Sequence, residues 1–343
     1  MTKYLAIICS AVICSFALSN HNSAAGDKDL PSAITIATGP PGGYQYLAMS
    51  YLASRFKSEY GISETPVGGG SDRNIKMLLA GQVNIANVTS EPAYIAYRGK
   101  SKVCTPKEGK TLRLISVTDP APYLTAVRKT SGINNIPELK GKTYVAKPVA
   151  FLYGYGVARK MLEGYGLNPD KDVNILAMTT GAEGLETYKD RGADAVWMPL
   201  PTPHHFWSDL IENHDSKLIG IDRKDVRESI LKHYPSHSEI LISKGTYVGQ
   251  EQDLISVGPL NDWLCIESTP ARLVEIFLQE LYDPERREAL IQIHPILKEY
   301  TLKQALSNPP LPYHDGAVTY FKKRGVWTVE MQQTQEKLLK EVE

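Results

Sequence analysis

The chain has 343 residues, equal numbers of basic and acidic residues (38 of each), and 42% apolar residues. This balance provides no basic surface to attract nucleic acid, and no zinc-finger spacing of cysteines is present, so we expect no nucleic-acid partner. Because single hydrophobic cores stop growing at about 250–300 residues, we expect two domains.

The first 25 residues have the features of a secretory signal peptide. Lys3 provides a positive charge, residues 4–18 form an uncharged and mainly apolar run, and residues 23–25 (Ser-Ala-Ala) suit signal peptidase. The run is shorter than the roughly 20 apolar residues that span a bilayer, and no later segment reaches that length. We therefore expect residues 1–25 to be removed and the mature protein to be soluble and periplasmic.

The chain that follows alternates short apolar runs with helical periodicity, which is typical of an α/β protein with mostly parallel sheets. Residues 34–37 predict a strand, and the glycine-rich turn 39–43 leads into a predicted helix. A second glycine run precedes another helix, with Gly81 at its C-terminal end, and a strand over 83–88. After a strand that starts at Leu112, two prolines restrict the backbone at residues 119–122, which we interpret as the first crossing between two lobes.

The same alternation restarts beyond this crossing. Further strands are predicted over 123–128, 141–146 and 193–198, and a proline-rich loop with aromatic and imidazole groups, residues 199–207, could line a cleft. A strand from Leu254 carries the return crossing near Gly258, and helices follow. We place lobe I in residues 26–119 and 258–343 and lobe II in residues 120–257, and we find no internal sequence repeat.

The motifs of common enzyme classes are incomplete in this chain. Three Gly-Lys-Ser/Thr triplets, at 99–101, 109–111 and 141–143, lack the earlier glycine of a phosphate-binding loop. Residues 154–156 (Gly-Tyr-Gly) lack the third glycine of a dinucleotide fingerprint. A nucleophile elbow and a His-Glu-x-x-His helix are both missing from the sequence. We expect no enzymatic activity, no cofactor and no metal.

Several aromatic and imidazole residues have two open interpretations. His204 and His205 are adjacent, and no third metal ligand is suggested near them, so they either face solvent, cap backbone groups or contact a ligand. Trp197 and Trp207 either pack in a core or line the cleft. Cys104 and Cys265, the two cysteines beyond the signal peptide, do not make a disulfide scaffold and could be paired or free.

Glycine-rich backbone stands twice at the start of a predicted helix, at residues 38–43 and 68–71. Helix N-termini have unpaired N–H groups and a partial positive charge, so they bind carboxylate or phosphate without a basic residue. The alternative is that both segments are flexible connections, with Ser71 as an ordinary N-cap. Two such segments in one lobe keep anion binding open.

Several segments resemble the TAXI proteins (TRAP-associated extracytoplasmic immunogenic), which are solute-binding subunits of tripartite ATP-independent periplasmic (TRAP) transporters. The similar segments are 36–44 (IATGPPGGY), 69–74 (GGSDRN), 78–86 (LLAGQVNIA), 89–94 (TSEPAY), 244–250 (KGTYVGQ), 312–317 (PYHDGA) with Tyr320, and 325–327 (GVW). They follow the family's order over nearly the whole mature chain, and their conjunction is specific.

The resemblance implies a two-lobed periplasmic binding protein of the type II-like α/β class, with a ligand cleft between lobes joined by two hinge crossings. It implies capture of glutamate, glutamine, 2-oxoglutarate or a related carboxylate, and delivery to integral membrane TRAP permease subunits. We expect a monomer. Carried over position by position, the implied ligand-binding residues of the first lobe are Thr38, Gly42, Gly43, Tyr44, Gly70, Ser71, Asn74, Thr89 and Ser90.

The second lobe departs from the family pattern after its strand over 141–146. The family has a Gly-Ser-Gly segment followed by Thr there, whereas residues 146–154 read AKPVAFLYG. A charge on Lys147 could replace the backbone dipoles, and Tyr153 could provide an aromatic wall. The candidate ligand contacts of this lobe are Lys147, Tyr153, Trp197 and His204. A larger or partly apolar carboxylate is therefore an alternative to glutamate.

Two other functions are compatible with the same scaffold. The protein could sense a ligand or act as an antigenic binding protein without a permease, and a fused multi-span permease gene beside its own gene would distinguish this from transport. It could also be an exported enzyme, which turnover of a bound ligand would indicate.

Overall fold

The structure is a computed structural model that describes residues 30–148 and 152–341; the predicted signal peptide, residues 1–25, lies outside the described residues. The strands are β1 (Ala33–Thr38), β2 (Ser63–Gly68), β3 (Ile85–Thr89), β4 (Leu112–Pro120), β5 (Tyr123–Arg128), β6 (Thr143–Pro148), β7 (Asn174–Met178), β8 (Ala195–Pro199), β9 (Ser216–Ile219), β10 (His237–Ile242) and β11 (Leu254–Ile266). The helices are α1 (Tyr44–Tyr60), α2 (Ser71–Leu79), α3 (Ser90–Tyr97), α4 (Pro106–Gly109), α5 (Leu152–Gly164), α6 (Gly181–Lys189), α7 (His205–Asn213), α8 (Lys224–His233), α9 (Ala271–Tyr282), α10 (Pro284–Ile293), α11 (Leu302–Ala305), α12 (Asp315–Lys323) and α13 (Val329–Lys340). Within the described ranges, no helix is long and apolar enough to cross a membrane.

The strands of the described part form two sheets with the same order. One sheet runs β2-β1-β3-β11-β4, with β10 paired to the first half of β11, and the other runs β7-β6-β8-β5-β9. In each sheet three neighbouring strands are parallel (β2, β1, β3 and β7, β6, β8), and the fourth strand, β11 or β5, is antiparallel to both of its neighbours. The fold is therefore a repeated α/β unit.

The repeat extends to the hydrogen bonds of one turn. Before β3, Asn84 Oδ1 accepts from the amide of Thr35 at 2.9 Å, and its own amide donates to the Thr35 carbonyl at 2.8 Å. Before β8, the Asp194 carboxylate accepts from the amide of Thr143 at 2.8 Å, and its amide donates to the Thr143 carbonyl at 2.9 Å. This repeat was not predicted, because the two units share topology and hydrogen bonding but few residue identities.

Two separate sets of buried side chains form the cores. One core takes its members from residues 34–117 and 260–321, and we call this part lobe I. Two adjoining clusters take theirs from residues 123–257, and we call this part lobe II. The α/β fold class with two lobes, predicted from the sequence, is confirmed. Both cysteines of the described part, Cys104 and Cys265, are free.

Two segments connect the lobes, and they touch each other. The chain leaves lobe I between β4 and β5, and it returns within the long strand β11. The amide of Ala121 donates to the Pro259 carbonyl at 2.9 Å. A Cβ added to Gly258 would lie 2.1 Å from the Ala121 carbonyl oxygen, so the close approach of the two segments requires glycine at this position.

Candidate functional site

A cavity of about 800 Å³ lies between the lobes, at the carboxyl ends of parallel strands from both sheets. The lining residues are Pro40, Gly69, Gly70, Ser71, Asp72, Arg73, Thr89 and Pro92 from lobe I, Met178, Thr179, Thr180, Gly181, Met198, Pro199 and Leu200 from lobe II, and Ala121 and Pro259 from the crossings. Ligands of open α/β sheets bind outside these strand ends. This cleft is therefore the candidate binding site.

Three helices of lobe I begin without a side-chain cap. The N-cap residues are Gly43 for α1, Gly70 for α2 and Thr89 for α3, and none of them makes a side-chain hydrogen bond to its helix. The first-turn amides of such helices are unpaired within the helix and carry partial positive charge. The Ser71 hydroxyl accepts from the Thr89 amide at 3.1 Å and lies 3.1 Å from the Thr89 hydroxyl, which joins α2 to the end of β3. Gly70, Ser71 and Thr89, three of the predicted ligand-binding residues, line the cavity.

Thr38 and Asn74, which the resemblance also implied, lie behind the cavity wall. Thr38 is fully buried, and its hydroxyl donates to the carbonyls of Gly39 and Val67 at 3.0 and 3.2 Å. The Asn74 amide group donates to the carbonyls of Thr38 and Asn87 at 3.0 and 2.7 Å. Both side chains thus hold the strand ends that carry the cleft.

Gly69 packs closely against the buried Asn74 side chain. A Cβ at Gly69 would lie 2.0 Å from Asn74 Oδ1, so a larger residue would push against the buried amide group. Gly42, with φ at 84°, has a left-handed conformation that favours glycine. Neither Gly42 nor Gly43 lines the cavity; they shape the loop from β1 into α1.

Tyr44 and Ser90 lie at the hinge. The Tyr44 hydroxyl donates to the Asp119 carboxylate, which also accepts from the Asn261 amide group at 2.8 Å. Burial raises the pKa of both Tyr44 and Asp119. The Ser90 hydroxyl donates to the Ser236 carbonyl at 2.8 Å and accepts from the amide of Leu260 in β11 at 3.0 Å. These residues connect lobe I to the crossing segments and, through Ser236, to lobe II.

In lobe II, the helix that faces the cavity is capped by its own side chains. The Thr180 hydroxyl accepts from the Glu183 amide at 3.1 Å, and the Glu183 carboxylate accepts from the amides of Thr179 and Thr180 at 2.6 and 3.4 Å. These backbone bonds lower the pKa of Glu183, with the Thr179 amide as the largest cause. The Glu183 carboxylate therefore holds the two amides that immediately precede α6.

Trp197 and His204 are placed away from the cavity lining. Trp197 is fully buried in the lobe II core and stacks on Tyr123 with ring centroids 4.4 Å apart. His204 is the N-cap of α7, where its Nδ1 accepts from the Phe206 amide at 3.2 Å. Burial, with smaller contributions from His205 and His294, lowers the pKa of His204 to about 4. Residues 199–207, predicted as a loop, include the start of α7.

The remaining candidates, Lys147 and Tyr153, have backbone positions in β6 and α5, and their side chains lie outside the described residues. Met178, Thr179 and Gly181, which line the cavity from lobe II, were not among the predicted ligand contacts. A signal was present, since the pair Thr180-Gly181 forms the N-cap and first residue of α6 as Gly70-Ser71 does for α2. In the described ranges, no three His, Cys, Asp or Glu side chains are grouped as a metal site would need.

Two α/β lobes, joined by two crossings and enclosing a cleft at their strand ends, have the architecture of the two-lobed periplasmic binding proteins. The chain belongs to the NMT1-like family, whose model matches residues 36–325. 

Solved structures of similar fold include three binding proteins. The periplasmic aliphatic sulphonate binding protein SsuA of Escherichia coli is 15% identical, with 90% of this chain and 99% of that chain covered and a TM-score of 0.49. The cysteine-binding protein of Campylobacter jejuni is 12% identical, with 79% and 91% covered and a TM-score of 0.44. A substrate binding protein of an amino acid ABC transporter is 12% identical, with 76% and 97% covered and a TM-score of 0.43.

Proposed function

We propose that this protein is an exported, periplasmic solute-binding protein that captures a small carboxylate and delivers it to the membrane subunits of a TRAP transporter. Its family and its two-lobed fold support solute binding, and the segments that resemble TAXI proteins support the transporter type. The observation that carries the proposal is the start of α2, where Gly70 and Ser71 line the cleft and no side chain caps the helix.

The proposal divides the mature chain into lobe I (26–119 and 258–343) and lobe II (120–257). The separate cores support this division. A ligand that contacts both lobes favours the closed arrangement by its greater affinity for it, and no covalent step is needed. The contact between Ala121 and Gly258 is the point about which the lobes would turn.

Within the cleft, we assign the carboxylate of the ligand to the first turn of α2. Thr89 contributes the wall beside Ser71, and Asp72 and Arg73 add one acidic and one basic side chain to the same part of the lining. Thr38 and Asn74 support these residues from behind. Glutamate, glutamine, 2-oxoglutarate and larger, partly apolar acids all remain candidates for the ligand.

The variant Ser71→Asp tests this assignment. An aspartate at the first position of α2 would satisfy the helix start and repel an incoming carboxylate, so binding is expected to be lost while folding stability is kept. The matched control is Ala271→Asp, an exposed first position of α9 in the same lobe. The measurement is thermal unfolding with a panel of amino acids, keto acids, dicarboxylates and longer organic acids. A ligand at 100 times its Kd stabilises the folded state by about 2.7 kcal/mol.

Two outcomes would contradict parts of the proposal. If Ser71→Asp binds an acid from the panel as tightly as Ala271→Asp does, the start of α2 is not the carboxylate site. Transport is tested in membrane vesicles that contain the candidate permease. Uptake of the bound acid should depend on an ion gradient, and dependence on ATP would exclude a TRAP partner while leaving ligand capture intact.

A further inference from the structure

Residues 71–89 of lobe I and residues 181–199 of lobe II have the same local structure, residue for residue. Each segment begins with a helix, α2 or α6, of nine residues and ends with a strand, β3 or β8, of five residues. The turn between helix and strand has a left-handed residue at the same place, Gly81 with φ at 67° and Arg191 with φ at 62°. Buried, half-buried and exposed positions follow in the same order in both segments. Each residue of one segment therefore has a defined equivalent in the other.

The equivalent residues differ in polarity where the strands end at the cleft. Four residues of lobe I with hydrogen-bonding side chains correspond in lobe II to two glycines, a proline and a tryptophan of the core. The pairs are Ser71 and Gly181, Asn74 and Gly184, Asn87 and Trp197, and Thr89 and Pro199. Thr89 and Pro199 both line the cavity, and Leu200 extends the apolar surface beyond Pro199. Thr179 and Thr180 are the polar members of the lobe II lining, and the Thr180 hydroxyl is used to cap α6.

Two methionines occupy the space beside the glycines of α6. Met178 ends β7, and a Cβ added to Gly184 would lie 2.5 Å from its sulfur atom. Met198 lies in β8, and a Cβ added to Gly181 would lie 3.1 Å from its sulfur atom. Because α6 has glycine at both positions, it packs directly on the two thioethers, and both methionines line the cavity. Thioether side chains are apolar and adapt to the shape of the surface that they contact.

The two walls of the cleft therefore differ in chemistry. The polar side chains of the lobe I wall are Ser71, Asp72, Arg73 and Thr89. The apolar surface of the lobe II wall consists of Met178, Met198, Pro199 and Leu200. A polar group of the ligand placed against this second surface would lose water without gaining a hydrogen-bond partner from these four side chains, which is unfavourable.

We propose that Met178, Met198 and Leu200 are specificity-determining residues that select an acid with an apolar body over glutamate-like acids with a second polar group. The carboxylate of the ligand lies against lobe I, and its hydrocarbon or aromatic body lies on the two methionines and Leu200. This inference rests on the proposed function and names the chemical class of its ligand.

The test compares two monocarboxylates of the same shape, 5-methylhexanoate and glutaramate. They have the same number of heavy atoms, and the isopropyl end of the first is replaced by a primary amide in the second. Isothermal titration calorimetry would measure both Kd values for the wild type, Met198→Gln and Leu200→Gln. The control is Leu241→Gln, the same change at a lobe II position that is 58% exposed and outside the cavity lining. Leu200 is only half-buried, so its variant serves if Met198→Gln folds poorly.

We expect the wild type and Leu241→Gln to bind 5-methylhexanoate at least about tenfold more tightly than glutaramate, because the amide would be buried without a partner. In Met198→Gln and Leu200→Gln this ratio should fall at least about threefold, since the new glutamine can bond to the ligand amide.

Two results would overturn the selection by these residues and leave solute capture standing. One is an unchanged ratio in both cleft variants, and the other is a wild type that binds glutaramate, glutamate or 2-oxoglutarate more tightly than 5-methylhexanoate. If no acid of the panel described above, extended by these two, bound to the wild type, the proposed capture of organic acids would itself be contradicted, and this inference with it.

Discussion

Replacing Glu64 with glutamine is expected to remove much of the loss of stability that the protein suffers as pH rises from 5 to 8. Glu64 lies on the edge strand β2, opposite Ile34, and is only 8% exposed. Neither of its carboxylate oxygens has a hydrogen-bond partner among the described residues. Burial raises the pKa of Glu64 to about 8, because an ionised carboxylate loses its hydration there.

The direction and the size of the effect follow from this pKa. In the unfolded chain the carboxyl group ionises near pH 4.5, whereas the folded protein keeps its proton until about pH 8. The folded-state pKa is the higher of the two, so the contribution to stability is complete below pH 4.5 and is lost as pH rises to 8. At 1.36 kcal/mol per pH unit, the loss between pH 4.5 and 7 is at most about 3 kcal/mol. Glutamine does not ionise and avoids it.

The assay is urea unfolding at pH 5, 6, 7 and 8, followed by tryptophan fluorescence. The exposed variant Glu299→Gln is the control for removing a carboxylate from lobe I. The free energy of unfolding of Glu64→Gln relative to the wild type should increase by about 2–3 kcal/mol between pH 5 and pH 7. Parallel pH profiles for the wild type and Glu64→Gln would refute the reasoning, since they would mean that the carboxylate is solvated or paired.

Three further predictions concern the crossings and the repeated units. Gly258→Ala should lower stability by about 1–3 kcal/mol, because its Cβ would lie 2.1 Å from the Ala121 carbonyl oxygen; an unchanged Tm in calorimetry would contradict this. The folded-state pKa of His204, about 4, lies below its ordinary 6.5, so the protein loses stability as pH falls from 6.5 to 4. Asparagine in the variant His204→Asn can still cap α7. Its free energy of unfolding should exceed that of the wild type by up to about 3 kcal/mol at pH 4.5 and equal it at pH 7.5. An equal loss of stability in the wild type and the variant on acidification would count against the prediction. Asn84→Ala and Asp194→Ala should each cost about 1–3 kcal/mol by leaving unpaired the amide of Thr35 or of Thr143, respectively, which urea unfolding would detect; a loss in one variant alone would argue against equivalent turns.

Much of the local structure was determined by short stretches of sequence. The strand over 34–37 and the glycine turn after it predicted β1 and the start of α1, and Gly81 ends α2 with φ at 67° as expected. Lobe I cleft residues such as Gly70 and Ser71 were found in the same way. These features depend on backbone conformation and on neighbours in the chain, so a few consecutive residues are enough to specify them.

Only the tertiary structure decided which side chains reach the cleft. Tyr44 follows a glycine loop that favours ligand contact, yet its hydroxyl bonds to Asp119, which is 75 residues away. Strand β2, with a buried Glu64 and no apolar alternation, gave no strand signal, and its place is set by pairing with β1. Thr180 lines the cavity because the lobe II sheet repeats the strand order of lobe I and so places the start of α6 at the cleft. Contacts between segments that are distant in the chain decide which side chains are buried and which reach the cleft. These contacts depend on how sheets and helices pack, and a local sequence pattern does not specify that packing.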